Sequence, residues 1–224
     1  MTAPSHPDPR AAHPTFPPPN PDAMTDPLTP TSRAQRLKAA TQQAHARLDQ
    51  RIMAAQPFAS RDHYTRFLQV QYRFHRDMER VYGSPVLASV VPDLAQRRRL
   101  PLIVADLHDL GGTLPADAAT APRPDSYYPR QVHALGWLYV AEGSNLGAAI
   151  LAKLAARLEL HAQFGARHLA GAEEGRARHW RQFTAALDRV ALDAEQEQAV
   201  IEAARAAFAQ VQAYVDLHLP AAAQ

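Results

Sequence analysis

The segment LGWLYVAEGSNLGAAIL, residues 135–151, is the most apolar helical stretch of this chain, yet it carries three glycines. A glycine inside a helix costs roughly 1 kcal/mol relative to alanine, and the whole chain of 224 residues holds only nine. Gly136, Val140, Gly143 and Gly147 are three or four residues apart, so in a helix they form one stripe with few side chains. Such a stripe lets another backbone or a flat ligand approach the helix closely.

Two interpretations of this glycine stripe are open. In the first, a neighbouring helix packs on the small residues, as small-xxx-small faces allow. In the second, a flat ligand lies across the helix, and the glycines let the helix kink around it. Ser144 and Asn145 favour the ligand, because a purely structural contact has little use for polar groups in an apolar wall.

The rest of the chain predicts an all-α fold, a multi-helix bundle. Residues 33–55 and 61–83 repeat apolar side chains at helical spacing, and Gly83 is a stop signal. We expect shorter helices within 92–110, a polar proline-containing connection at 111–126 and the glycine-bearing helix at about 129–158. Two more helices are expected at about 172–190 and from 193 onward. Strand-like alternation is lacking, so a helical bundle is predicted.

The first thirty residues differ in composition from the rest of the chain. They hold ten of the nineteen prolines and almost no large apolar residues. Such a segment buries too little surface to offset the entropy of ordering it. We therefore predict a disordered tail at residues 1–30 and a single helical domain at residues 31–224.

Composition and charge exclude several classes of protein. Cysteine is absent, which excludes disulfides and thiolate sites and favours a reducing cytoplasm. The formal net charge is +2, and the densest cationic cluster is QRRRL at 96–100, which is too little for a nucleic-acid surface. No run of 18 uncharged apolar residues occurs, so no membrane-spanning segment is expected.

A flat ligand in a helical protein without cysteine suggests heme, which requires a histidine ligand. Of the eleven histidines, His45 lies at the margin of an apolar face on the first predicted helix. Asp49, one turn later, can orient the imidazole through one ring nitrogen and leave the other for iron. Lys38, two turns before His45, could reach a heme propionate.

Two motifs resemble the bacterial heme oxygenase family. They are LKAATQQAHARLDQ at 37–50 and the glycine-bearing segment about a hundred residues downstream. The resemblance implies a helical bundle with heme between the first helix and a kinked distal helix. It implies that His45 is the proximal iron ligand, Asp49 its acidic neighbour and Lys38 a propionate contact. Gly143 and Gly147 match the glycines of the distal helix.

The distal motif departs from many family members. These read G-D-L-S-G-G, whereas residues 143–148 read GSNLGA, with Ser144 at the aspartate position. This version resembles a bacterial branch of biliverdin-forming enzymes that serve phytochromes or iron acquisition. Gly143, Ser144, Asn145 and Gly147 are therefore the candidate catalytic residues.

Further candidates for propionate contacts come from the same resemblance. Some members place a tyrosine on the propionates. Leu138 stands at that position here and Tyr139 follows it, so Tyr139 is the candidate. Arg181 and Arg178 in RARHWRQF, residues 176–183, are candidates for contacts from the C-terminal part of the chain.

The resemblance implies that heme is both cofactor and substrate. Oxygen and external electrons would convert it to biliverdin, carbon monoxide and ferrous iron. The sequence has no Gly-rich dinucleotide fingerprint, so a ferredoxin or a flavodoxin-type reductase is expected to supply electrons. A bacteriophytochrome is a candidate receiver of biliverdin. Two alternatives remain: a heme carrier or sensor, favoured by the missing aspartate, and a helical adaptor without cofactor.

Overall fold

The computed structural model describes residues 31–116 and 131–219, and seven α-helices make up most of this part of the chain. They are α1 Arg33–Ala54, α2 Arg61–Tyr82, α3 Pro85–Ala88, α4 Leu100–Asp109, α5 Gln131–Ala156, α6 Arg176–Arg189 and α7 Ala194–His218. Two 3₁₀ turns, Leu94–Arg97 and Arg167–Leu169, lie before α4 and α6. Within these residues no β-strand forms, and the predicted all-α fold is confirmed.

Local sequence signals explain most helix boundaries. Ser32 and Gln35 form a capping box at the start of α1, in which each side chain accepts a hydrogen bond from the other residue's backbone. Asp193 and Gln196 form the same box at the start of α7. α2 ends at Gly83, as its stop signal predicts. These three helices have the boundaries that the sequence predicts.

Two other regions differ from the prediction, those of α3 with α4 and the start of α6. The region 92–110 holds a 3₁₀ turn and then α4, and the short α3 before it was not expected. Ser84 caps α3, and Pro85 stands in its first turn, where a missing N–H costs nothing. α6 begins at Arg176 rather than at 172, because Gly175 adopts a positive φ of 90° just before it. α5 runs without interruption from Gln131 to Ala156.

The last helix, α7, lies at the centre of the packing and contacts α5, α1 and α2. Its buried side chains, including Val200, Ala204 and Phe208, are part of the main apolar core. α1 and α7 run in the same direction. Arg33 at the start of α1 pairs with Glu197 at 2.6 Å, and polar contacts continue along both helices to their C-terminal ends.

Some sequence predictions lie outside the described residues. These are the tail at 1–30, the part of the connection from 117 to 126, and the first residues of the predicted glycine-bearing helix. No helix in the described part of the chain is long and apolar enough to cross a membrane.

Candidate functional site

Gly136 differs in its surroundings from the other glycines of α5. A Cβ atom built on Gly136 would lie 2.4 Å from the carbonyl oxygen of Val200 and 2.7 Å from the backbone nitrogen of Ala204. Both atoms belong to α7, so at Gly136 the two helix backbones are in direct contact. The first interpretation of the glycine stripe, a helix-packing seam, is therefore correct at this position.

Gly143 and Gly147 face open space or nearly so. A Cβ atom on Gly147 would meet nothing within 4 Å, and one on Gly143 would touch only the Trp180 ring at 3.7 Å. Beside them, Leu146 and Ile150 expose 41% and 51% of their surface. We call these four residues the open strip. Exposed apolar surface beside bare helix positions makes the open strip a candidate binding surface.

His45 and Asp49 are in contact on the exposed side of α1. His45 Nδ1 lies 3.0 Å from Asp49 Oδ2, and 61% of the His45 side chain is exposed. This hydrogen bond raises the pKa of His45, against the opposing effect of partial burial. The ring also meets Phe208 of α7 edge-on, with 5.8 Å between centroids. His45 Nε2 makes no hydrogen bond to the described residues, so it is available to a ligand.

α1 and α5 meet through the side chains of Thr41 and Tyr139. Burial raises the pKa of the Tyr139 hydroxyl, and its hydrogen bond with Thr41 opposes that rise. Thr41 in turn donates to the carbonyl oxygen of Leu37 at 2.7 Å. His45 follows Thr41 by four residues and Gly143 follows Tyr139 by four, a rise of about 6 Å along each helix. His45 on α1 and the start of the open strip on α5 are thus each one turn further along their own helix.

Ser144 and Asn145, the polar residues that follow Gly143 on α5, both form hydrogen bonds. The Ser144 hydroxyl donates to the carbonyl oxygen of Ala141 in its own helix at 2.7 Å, a bond that often bends helices. The carbonyl oxygen of Asn145 accepts from Arg176 Nη1 at 3.0 Å. α6 therefore touches α5 at Gly143 through Trp180 and at Asn145 through Arg176.

Glu142, which the sequence analysis did not single out, is a buried carboxylate directly before Gly143. It pairs with Arg97 at 2.8 Å, and each of the two side chains is only 1% exposed. Tyr82 donates to the other carboxylate oxygen at 3.0 Å, and burial together with this carboxylate raises the pKa of Tyr82. His179 Nδ1 lies 3.8 Å from Glu142 Oε2. The sequence signal was an isolated acidic residue in an otherwise apolar helix.

Two other histidines are buried away from solvent. His168 Nδ1 contacts Asp106 Oδ2 at 2.8 Å, and burial lowers the pKa of His168. Burial also lowers the pKa of His75 to about 3. Over residues 31–116 and 131–219, no group of three or more acidic, histidine or cysteine side chains is arranged to hold a metal ion. His45 is thus an exposed histidine that a carboxylate orients, outside any such cluster.

The family model for heme oxygenase matches residues 31–216 of this chain. The chain belongs to the heme oxygenase family. It is 44% identical over 188 residues to heme oxygenase PigA of Pseudomonas aeruginosa, which covers 82% of this chain and 93% of that protein. It is 30% identical over 148 residues to a heme oxygenase of Xanthomonas campestris, covering 66% of this chain and 86% of that protein.

Solved structures of heme oxygenases share the fold. The NO- and CO-bound heme oxygenase of Neisseria meningitidis superposes with a TM-score of 0.80 at 37% identity, covering 87% of this chain and 96% of that chain. The heme oxygenase of Leptospira interrogans gives a TM-score of 0.65 at 20% identity, covering 82% and 98%, and shows the fold alone. The predicted family and the predicted enzyme class, a biliverdin-producing heme oxygenase, are confirmed.

The remaining candidate residues stay predictions. Lys38 on α1 and Arg181 and Arg178 on α6 are exposed, and among the described residues no hydrogen bond or ion pair joins their side chains to His45 or to the open strip. The backbone oxygen of Arg181 accepts from Thr184 at 3.2 Å. What the described residues of this heme oxygenase bring together is His45 with Asp49, Tyr139 with Thr41, and Gly143 with Trp180.

Proposed function

We propose that the protein binds heme between α1 and the open strip of α5, with His45 as the one protein ligand to iron. The reaction cleaves heme with oxygen and external electrons to biliverdin, carbon monoxide and ferrous iron. Heme, when bound, supplies the iron that activates oxygen, and its ring is the substrate. The observation that carries the proposal is the open strip, an exposed apolar surface with two bare positions that begins four residues after Tyr139 on α5.

His45 and Asp49 supply the proximal side. The Asp49 carboxylate holds Nδ1 at 3.0 Å, which fixes the tautomer that leaves Nε2 unprotonated for a metal. The edge contact with Phe208 restricts rotation of the ring. As the one protein ligand, a neutral His45 imidazole would hold the iron and leave it able to bind a small molecule.

The open strip supplies the distal side. Gly143 and Gly147 remove the side chains that would hold a flat ring away from the helix. Leu146 and Ile150, half exposed without a ligand, offer apolar surface for the porphyrin to cover, which favours binding by about 25 cal/mol per Å² buried. Ser144 and Asn145 are polar residues of the same helix segment, and we propose that they bind ordered water.

Lys38, Tyr139 and Arg181 are our candidates for contacts to the two propionates. Lys38 lies two turns before His45, and Tyr139 reaches the α1–α5 contact through Thr41. Arg181 follows Trp180, which borders the open strip at Gly143. A cationic side chain or a phenolic hydroxyl on a carboxylate makes a stronger hydrogen bond than a neutral pair. These contacts would fix the orientation of the ring, and with it the carbon that is attacked.

Electrons come from another protein in this proposal, because the sequence lacks a Gly-rich dinucleotide fingerprint. A ferredoxin or a flavodoxin-type reductase is the proposed donor, attracted to arginine-rich surface by opposite charge. A bacteriophytochrome is the proposed receiver of biliverdin, and the cytoplasm is the proposed compartment.

A hemin titration followed by turnover tests the proposal. We expect a Soret band that saturates at one hemin per chain. Addition of a reductase, its electron source and oxygen should then replace that band with biliverdin absorption and release carbon monoxide. Omission of the reductase is the control. Failure to bind hemin would indicate an adaptor, and a stable Soret band under turnover conditions would indicate a carrier.

A further inference from the structure

The carboxylate of Glu142 is buried in an apolar part of α5, where a charged side chain adds nothing to the packing of the helix. It directly precedes Gly143, and its neighbours in α5, including Leu138 and Ala141, are fully buried apolar residues. Removing a carboxylate from water costs several kcal/mol unless partners compensate it. A charge kept there therefore calls for an explanation in terms of what it holds in place.

Its partners come from three separate elements. Arg97 belongs to the first 3₁₀ turn and lies 2.8 Å away, Tyr82 ends α2 and donates at 3.0 Å, and His179 belongs to α6. Arg97 is itself fixed, since its Nε donates to the carbonyl oxygen of Pro92 at 3.1 Å. The position of Glu142 is thus set by side chains from the end of α2, the first 3₁₀ turn and α6.

The same surroundings also contact two of the next three residues on α5, Gly143 and Asn145. Trp180, next to His179 on α6, lies 3.7 Å from the Cβ position of Gly143. Arg176, one turn earlier on α6, donates to the carbonyl oxygen of Asn145. Three of the four residues 142–145 are therefore held from outside, whereas Gly147, four residues after Gly143, has an empty surrounding.

We propose that Glu142 is a positioning residue for heme, which with Arg97 and Tyr82 holds the bare segment of α5 at a fixed distance from the ring. Glycine adds flexibility to a helix, and of the two bare positions only Gly143 has a side chain, that of Trp180, within 4 Å of its Cβ position, so the open strip needs a restraint from elsewhere. The buried ion pair supplies that restraint from the buried flank of α5 beside the strip. This inference rests on the proposed function.

The test uses the full-length double variant Arg97→Gln, Glu142→Gln. It neutralises both charges together, so that no lone charge is left buried, and keeps an acceptor for the Tyr82 hydroxyl. The matched control is Arg33→Gln, Glu197→Gln, which removes the ion pair between α1 and α7 at 2.6 Å. Two readouts are used: hydrogen exchange of peptide amides in the hemin-free protein, and hemin affinity from the Soret titration.

We expect amides of residues 143–150 in the double variant to exchange at least about tenfold faster, while amides of 200–208 keep the wild-type rate. Hemin affinity should fall by about tenfold or more, the size typical of lost orienting contacts. The control variant should match wild type in both readouts. Unchanged hemin affinity, or exchange that rises equally in 200–208, would show that the ion pair only stabilises the fold and would overturn the inference.

Tyr82→Phe keeps the test decisive if the double variant does not fold. It removes only the hydrogen bond to Glu142 and should change both readouts in the same direction by a smaller factor. Wild-type behaviour of Tyr82→Phe would then overturn the inference. The wild-type protein separates the two proposals. If the wild-type protein gives no Soret band with hemin, the proposed function is contradicted. If the wild-type protein turns heme over and the variants behave like it, only the role of Glu142 is contradicted.

Discussion

Gly136 and Val200 are in backbone contact, since a methyl group on Gly136 would lie 2.4 Å from the Val200 carbonyl oxygen. Gly147, eleven residues later on the same helix, has nothing within 4 Å of the same position. One sequence pattern thus contains a packing contact at one end and an open surface at the other. Alanine substitutions at the two positions should have opposite effects.

We expect Gly136→Ala to lower the free energy of unfolding by about 1–3 kcal/mol, the usual cost of overpacking. Gly147→Ala should raise it by up to about 1 kcal/mol, because alanine favours the helix and meets no neighbour. Urea denaturation of the hemin-free proteins measures both. Equal effects of the two substitutions would contradict the division of the glycine stripe.

Larger side chains at the open strip should affect heme rather than folding. In Gly147→Leu we expect hemin-free stability close to wild type, because the position is empty. Hemin binding or biliverdin formation should be strongly impaired, because the side chain occupies the proposed distal space. Gly143→Leu should act in the same way, with an added effect of its contact with Trp180 at 3.7 Å. Normal turnover of the folded fraction would exclude the strip as the distal wall.

Removal of the proposed iron ligand gives a spectroscopic test. His45→Ala should still take hemin into the crevice but lose the spectrum of histidine-ligated iron and the turnover. Added imidazole should partly restore both, because it fills the vacated ligand position. His161→Ala, at another exposed histidine, is the control and should resemble wild type. A histidine-ligated spectrum in His45→Ala would show that another residue binds iron.

The His45–Asp49 contact predicts a pH dependence of hemin binding. Iron needs the unprotonated Nε2, so protonation of the ring competes with binding as the pH falls through the His45 pKa. Asp49 raises that pKa, and Asp49→Asn should lower it toward 6.5, so the loss of binding should move to lower pH. NMR titration of the His45 ring and hemin titrations from about pH 5 to about pH 9 measure the two shifts. A midpoint that does not move would contradict the contact in solution.

His75 predicts acid sensitivity of the fold. Its pKa is about 3 in the folded protein against 6.5 as the ordinary value, so below pH 6.5 the unfolded chain binds a proton that the folded chain does not. The free energy of unfolding should then fall by up to about 1.4 kcal/mol per pH unit for this group. Burial also lowers the pKa of His168, so protonation of this residue in the unfolded chain reduces stability in the same direction.

Denaturation at two pH values measures the contribution of His75. In His75→Leu, the stability difference between about pH 7 and about pH 5 should be smaller than in wild type by roughly 2 kcal/mol. His108→Gln, at an exposed histidine, should keep the wild-type difference. The same pH dependence in His75→Leu as in wild type would contradict the burial of a neutral ring at this position.

Features that depend on neighbours along the chain could be predicted from the sequence alone. The capping boxes of α1 and α7 and the glycine after α2 fix helix ends through atoms three or four residues apart. The pairing of His45 with Asp49 is equally local, because residues four apart share a helix face. These signals, with the two motifs, were sufficient for the all-α fold, the family and the identity of the candidate ligand.

Helix packing determines which glycine is in contact and which stays open, and it determines what surrounds Glu142. Gly136 meets a backbone 64 residues away along the chain, and helical periodicity gives the face of a residue but not its neighbour. The partners of Glu142 lie 45 and 60 residues before it, so an acidic residue in an apolar helix could not be matched to them by spacing. Contacts of this kind arise from the packing of separate helices, and no local pattern encodes them.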